Sequence, residues 1–190
     1  MNRPPVEIKR QTYVYRGKVV NVRVDEVVTP RHPEGARFEV VEYAPAVTIL
    51  PLLPDGRVVL TRQYRHALRD WILELPAGKR DPGEPSLNAA RRELEEETGY
   101  RGGSWTFLLS YYVAPGYSTE KMDFWVARNL EAGTPHLDPD EWLETVVMPM
   151  EEVYRRLLAG DWVDAKTFIG LSYFFLTDPE GKAFARSFKP

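Results

Sequence analysis

The chain has 190 residues, 43% of them hydrophobic and 28% charged, which is enough apolar content for one substantial domain or for one with a small appendage. Its 25 basic residues stand against 28 acidic ones, a net charge of −3, so no general nucleic-acid surface is expected and an anionic ligand would have to be held by local arginines and metal. No cysteine is present, which excludes disulfides, thiolate metal sites and cysteine nucleophiles and suits a reducing cytoplasm; MNRPPVEIKR lacks the apolar stretch of a secretory signal, and no apolar run reaches the roughly 18 residues of a membrane span.

Residues 11–43 read as β structure. QTYVY, the turn Arg16-Gly17-Lys18 and VVNVRVDEVV form a hairpin, with Val20, Val22 and Val24 alternating with polar neighbours. A loop from Pro30 to Gly35 leads to a further strand, RFEVVEY, and Ala44-Pro45 ends the section. Strands alone over this length bury too little to be stable, so residues 1–44 should pack on a neighbour. The remainder, 45–190, is expected to be the main domain. It opens with a second hairpin, AVTILPLL and RVVLTRQ around Pro54-Asp55-Gly56. Arg62 and Arg65 close that hairpin, and taken alone they are ordinary solvated charge. WILELPA, Trp71 to Ala77, follows as another strand carrying Glu74.

Gly78 to Tyr100, GKRDPGEPSLNAARRELEEETGY, is the most informative stretch. A helix is expected from Ser86 as N-cap to Gly99 as the C′ residue, with Leu87, Ala90 and Leu94 as its apolar stripe. Glu93, Glu96 and Glu97 stand at i, i+3 and i+4, within one turn of each other. Two carboxylates about 5 Å apart repel by roughly 3 kcal/mol at an effective dielectric of about 20. The helix dipole also disfavours negative charge at this end. A divalent cation relieves both, and oxygen-only anionic sites suit Mg²⁺ or Mn²⁺. Arg92 can pair with Glu96 and orient it. On charge alone, RRELEEE would be a solvated face laced with ion pairs.

Beyond it, Trp105 to Val113 and Lys121 to Arg128 read as strands flanking the Pro-Gly turn of Ala114-Pro115-Gly116-Tyr117-Ser118. EAGTPHLDPDEWL, residues 131–143, is an acidic loop with one histidine, His136, expected to be surface. The tail is helical. PMEEVYRRLLAG stops at Gly160, and Asp164 caps AKTFIGLSYFFLT, whose Phe168, Leu171 and Phe175 should fill core before Asp178-Pro179 ends it.

The acidic stretch resembles the Nudix box, G-x5-E-x7-R-E-U-x-E-E-x-G-U with U a bulky apolar residue. Gly78, Glu84, Arg92, Glu93, Leu94, Glu96, Glu97 and Gly99 fall in register, with Tyr100 at the last U. The resemblance spans about residues 45–178 and implies an α+β fold, the Nudix α/β/α sandwich, with the preceding strands as a small antiparallel section. By the same resemblance Glu93 and Glu97, the Ala77 carbonyl and Glu96 would be metal ligands, with Arg92 orienting the glutamates and Glu84 a secondary candidate. Pro115 lies 16 residues past Gly99 within a P-G-x-S/T-x-E pattern similar to the ADP-ribose pyrophosphatase branch. That branch implies Arg65, Glu74, Gly116 and Ser118 as substrate contacts. It also implies a carboxylate in the 131–143 region to activate water, Glu141 first and Glu144 second, and a homodimer joined through the N-terminal strands. The reaction implied is metal-dependent hydrolysis of ADP-ribose to AMP and ribose 5-phosphate. Rival readings are another nucleoside diphosphate derivative as substrate, or a nucleotide-sensing module with a silent domain. The intact box and the lack of a basic recognition helix favour the enzyme.

Overall fold

The structure is a computed structural model and describes residues 5–137, 139 and 141–189. The chain divides into two compact units: residues 1–45 with 112–121, and residues 46–111 with 122–190. The turn around Gly116, expected in the main domain, thus belongs to the first unit.

In the first unit β1 (Glu7–Arg16), β2 (Asn21–Thr29) and β3 (His32–Glu42) form an antiparallel sheet in that order. β3 starts at His32, inside the expected Pro30–Gly35 loop, and Thr29 faces His32 across a two-residue turn. It is an edge strand, where Pro33 removes no ladder donor that a neighbour needs. The 112–121 segment joins this unit through Val41, whose N–H donates to the Tyr117 carbonyl at 2.8 Å and whose carbonyl accepts from the Thr119 N–H at 3.0 Å.

The second unit is built on a seven-stranded mixed sheet. Its main path is β10 (Leu143–Pro149), β5 (Arg57–Arg65), β4 (Ala46–Leu52), β9 (Lys121–Arg128) and β8 (Ser104–Tyr112). β4 runs parallel to β9 and is buried at all seven positions, as its unbroken run AVTILPL demands. Val47 and Ile49 pack with Ala89, Ala90 and Leu94 of α1 (Ser86–Thr98) on one face. Leu50 and Leu52 pack with Val153 of α2 (Met150–Ala159) and with Leu171, Phe174 and Phe175 of α3 (Ala165–Thr177) on the other. This period-two division of one strand between two helical layers makes the α/β/α sandwich.

β4 and β5 pair only at Leu52–Val58, beside their turn, and then part. β6 (Asp70–Glu74) pairs with β5, and β7 (Ala77–Lys79) pairs with β4. The resulting fork places Glu74 and Ala77 in the middle of the sheet.

Several expectations are extended or corrected. Residues 144–148, for which the sequence set no expectation, belong to the strand Leu143–Pro149, paired along its whole length with β5. α3 does end at Asp178, as expected, and Pro179 then opens a fourth helix, α4 (Pro179–Ser187), with Asp178 accepting from the Glu180 N–H as its cap. The N-cap of α1 is Pro85, not Ser86, because the Ser86 hydroxyl accepts from the Trp125 indole at 2.9 Å. Phe168 is 43% exposed, and the buried stripe of α3 runs instead through Thr167, Gly170, Leu171, Phe174 and Phe175. Among the described residues no helix is long and apolar enough to cross a membrane.

Candidate active site

α1 lies over β7, and the contact is close enough to explain Gly78. A Cβ there would sit 1.9 Å from the Glu93 carboxyl carbon, so the glycine is required for space rather than for backbone conformation. One turn on, Glu97 Oε2 accepts from the Ala77 N–H at 3.2 Å. Glu93 and Glu97 are 9% and 3% exposed. Glu96, on the same turn, is half-buried.

Arg92 organises this acidic surface more extensively than a single pair with Glu96. Its Nη1 donates to Glu93 at 2.9 Å and to Glu96 at 3.0 Å. Its Nε and Nη2 form a fork on the two oxygens of Glu84 at 3.1 and 3.0 Å, and Nη2 also reaches the Lys79 carbonyl at 3.0 Å. Glu84 therefore anchors Arg92 with both oxygens and also accepts from the Asp81 N–H at 3.0 Å, a placement different from that of a free metal ligand.

Burial pushes the Glu93 carboxyl up to about 7, against the pull of Arg92, and the charges of Glu96 and Glu141 add to the rise. Burial, and then the Glu93 charge, hold Glu97 well above the usual carboxylate range; Glu141 and Glu74 add, and the Ala77 N–H opposes. The loop carboxylate Glu141, half-buried, is thus brought into the field of both helix glutamates. Glu144, the second candidate, is exposed and pairs with Arg62 at 3.1 Å.

The loop carrying Glu141 is stitched to the end of α1. Gly99 has φ +76° and closes the helix, and a Cβ on it would meet the Gly133 carbonyl oxygen at 2.7 Å. The His136 N–H donates to the Glu96 carbonyl at 2.8 Å, and Arg101 and Glu131 exchange two backbone bonds at 2.9 Å. At the far end the Tyr64 N–H donates to the Trp142 carbonyl at 2.9 Å, with the two rings 5.3 Å apart.

Arg65, half-buried at the end of β5, places Nε and Nη2 on Glu74 Oε1 at 2.9 and 2.7 Å. Glu74 is 1% exposed, and its second oxygen is taken by Lys166. Both Glu74 oxygens are thus engaged by buried or half-buried cations. Lys166 went unseen in the sequence because a lysine in the first turn of a helix reads as solvated. Gly116 and Ser118 lie in the first unit. Gly116 is exposed with nothing near its Cβ position, and the Ser118 N–H closes the turn on the Ala114 carbonyl at 2.9 Å.

The donor set fits a hard divalent cation. It consists of oxygens alone, and two buried carboxylates there are driven toward protonation when only Arg92 compensates them. Among the described residues no three acidic or histidine side chains are grouped tightly enough to cage an ion. A cation here would draw part of its coordination from water and phosphate oxygens.

A pH dependence follows from Glu93. Its folded pKa of about 7 exceeds the ordinary 4.5, so the folded state binds the proton more tightly than the unfolded state does. That contribution is fully present below pH 4.5 and is lost as pH rises through 7. It amounts to about 3 kcal/mol for this group. Thermal melts of the chelator-treated protein should show the melting temperature falling from about pH 5 to pH 8. A flat profile would show that Glu93 titrates normally.

A family model described as "NUDIX domain" matches residues 42–169. An ADP-ribose pyrophosphatase of Bacillus subtilis is 32% identical over 167 residues, 87% of this chain and 90% of that protein. An ADP-ribose pyrophosphatase of Mycobacterium tuberculosis is 35% identical over 161 residues, 83% of this chain and 77% of that protein. A solved structure described as an ADP compounds hydrolase superposes with a TM-score of 0.76 at 28% identity, covering 95% of this chain and 96% of its own. With the box carboxylates assembled over β7 and a family match spanning most of its length, this chain belongs to the NUDIX family of hydrolases.

Proposed function

We propose that the protein hydrolyses the pyrophosphate of ADP-ribose, giving AMP and ribose 5-phosphate. The observation that carries this is the buried Glu93–Glu97 pair held over β7, with Glu141 and the Arg65–Glu74 pair within its electrostatic reach. Two relatives alike over most of their length are named for ADP-ribose, which supports that substrate.

Glu93 and Glu97, with the Ala77 carbonyl and Glu96, would hold Mg²⁺ or Mn²⁺. Bound there, such a cation would neutralise diphosphate charge and acidify a water. Arg92 keeps the glutamates aimed through its bonds to Glu84, Glu93 and Glu96. Glu141 accepts the proton of the attacking water as the new oxygen–phosphorus bond forms and the anhydride bond breaks. Arg65 presents its guanidinium to the phosphates, where a planar fork matches two oxygens. Glu74 acts on substrate through Arg65. Catalysis is then mostly positioning and charge stabilisation.

A cytoplasmic homodimer is part of this proposal. β1 is an edge strand exposed at all ten positions and carries Ile8, Tyr13, Val14 and Tyr15 at its surface. Such an edge is a template for pairing with another chain. Light scattering after gel filtration should give twice the 21.9 kDa chain mass. A monomer at micromolar concentration would remove the dimer and leave the chemistry intact.

The test of function is a substrate panel of ADP-ribose, GDP-mannose, NADH, diadenosine polyphosphate and coenzyme A at equal Mg²⁺, with products identified. ADP-ribose should rank first and yield AMP. If another compound outranks it clearly, the substrate is wrong while the hydrolysis stands.

A further inference from the structure

Lys166 is 8% exposed, in the first turn of α3. Its ammonium bonds to Glu74 Oε2 and lies 3.0 Å from Asp164 Oδ2. The same Asp164 oxygen accepts from the Thr167 N–H at 3.0 Å and from its hydroxyl at 2.6 Å, and so caps the helix. The Thr167 hydroxyl in turn accepts from the Leu75 N–H at 2.9 Å. The start of α3 is thereby fastened to Glu74 and Leu75, in the fork between β4 and β5.

Stability alone is a poor reason for this ammonium. A buried ion pair contributes little beyond what well-packed apolar side chains of the same volume would give. A methionine at 166 would fill the space, and the Thr167 bond would still seat the helix. What an apolar residue would not supply is a cation on the Glu74 oxygen that Arg65 leaves. With Oε2 taken by Lys166, Arg65 is confined to Oε1, which it meets with its Nε–Nη2 edge at 2.9 and 2.7 Å. The guanidinium is planar, so fixing that edge fixes the direction of the remaining nitrogen.

We infer that Lys166 is a positioning residue: it locks Glu74, and Glu74 aims the Arg65 guanidinium at the substrate's phosphates. The inference rests on the proposed diphosphate hydrolysis, with Arg65 as the phosphate contact. Lys166 reaches the substrate only through that chain of two side chains. Its effect belongs to binding, because Arg65 meets charge already present in the ground state.

The experiment compares Lys166→Met, Arg65→Met, the Arg65→Met/Lys166→Met pair and the Glu74→Gln/Lys166→Met pair. Each is measured for melting temperature and for KM and kcat on ADP-ribose. Lys166→Met should raise KM about tenfold with a smaller change in kcat. Added to Arg65→Met it should cause little further loss, because the two act in series. The Glu74→Gln/Lys166→Met protein removes the two fully buried charges together, leaving only the half-buried Arg65 and Asp164 without their partners, and should melt closer to wild type than Lys166→Met does while keeping the raised KM. An unchanged KM in Lys166→Met overturns the inference, as do multiplying effects of Lys166→Met and Arg65→Met, or a KM restored together with stability in the charge-free pair. A wild-type protein that cleaves no diphosphate fails the proposed function instead, which separates the two failures.

Discussion

Glu97→Gln lowers kcat by roughly 10²–10⁴-fold and, at pH 8, raises the melting temperature of the metal-free protein. Both effects have one origin. Glu97 is almost fully buried beside Glu93, so its negative charge is unfavourable in the empty protein and useful only when a cation shares it. Glutamine keeps the shape and can still accept from the Ala77 N–H, but it removes the charge. Steady-state kinetics at saturating Mg²⁺, with melts under chelation, measure the two arms. Turnover near wild type would take Glu97 out of the mechanism, and a lowered melting temperature would mean that its charge is compensated in the metal-free state.

Gly78→Ala should reduce kcat by about 10²-fold or more while leaving the fold almost untouched. The added Cβ would fall 1.9 Å from the Glu93 carboxyl carbon and 2.0 Å from one of its oxygens. The obstructed atoms are the end of a flexible side chain, so the backbone can stay while the carboxylate swings aside. Glu93 then loses its bond to Arg92 and its place over β7. Circular dichroism and a melt close to wild type, with turnover largely gone, are the expected pair of results. Full activity would mean that Glu93 need not lie against β7.

The site's helical half was legible because helical spacing converts sequence distance directly into spatial distance. Glu93, Glu96, Glu97 and Gly99 needed no partner from elsewhere to be placed on one turn. The part supplied by contacts distant in sequence was not legible. β10 was missed because its strand character comes from pairing with β5, as in Leu143–Gln63. Lys166 looked solvated because nothing near it in the chain shows that Glu74, 92 residues away, will be buried against it. Asp178-Pro179 was taken as a stop, yet a capping aspartate and a proline at the first helical position also start a helix, and here they do. Leu171 and Phe175 are buried as expected, whereas Phe168 falls outside the buried stripe of a helix rich in aromatics on several sides.

The touching backbones of Gly99 and Gly133 constrain how this enzyme can be re-engineered. Any graft that replaces the segment bearing Glu141 with one from a relative must bring its own side-chain-free residue to the crossing, because a methyl group on either partner meets the other's carbonyl oxygen at 2.7 Å. Donor segments should therefore be chosen as matched sets with the helix terminus they cross, and shuffled libraries that cut between these two glycines will be enriched in inactive recombinants.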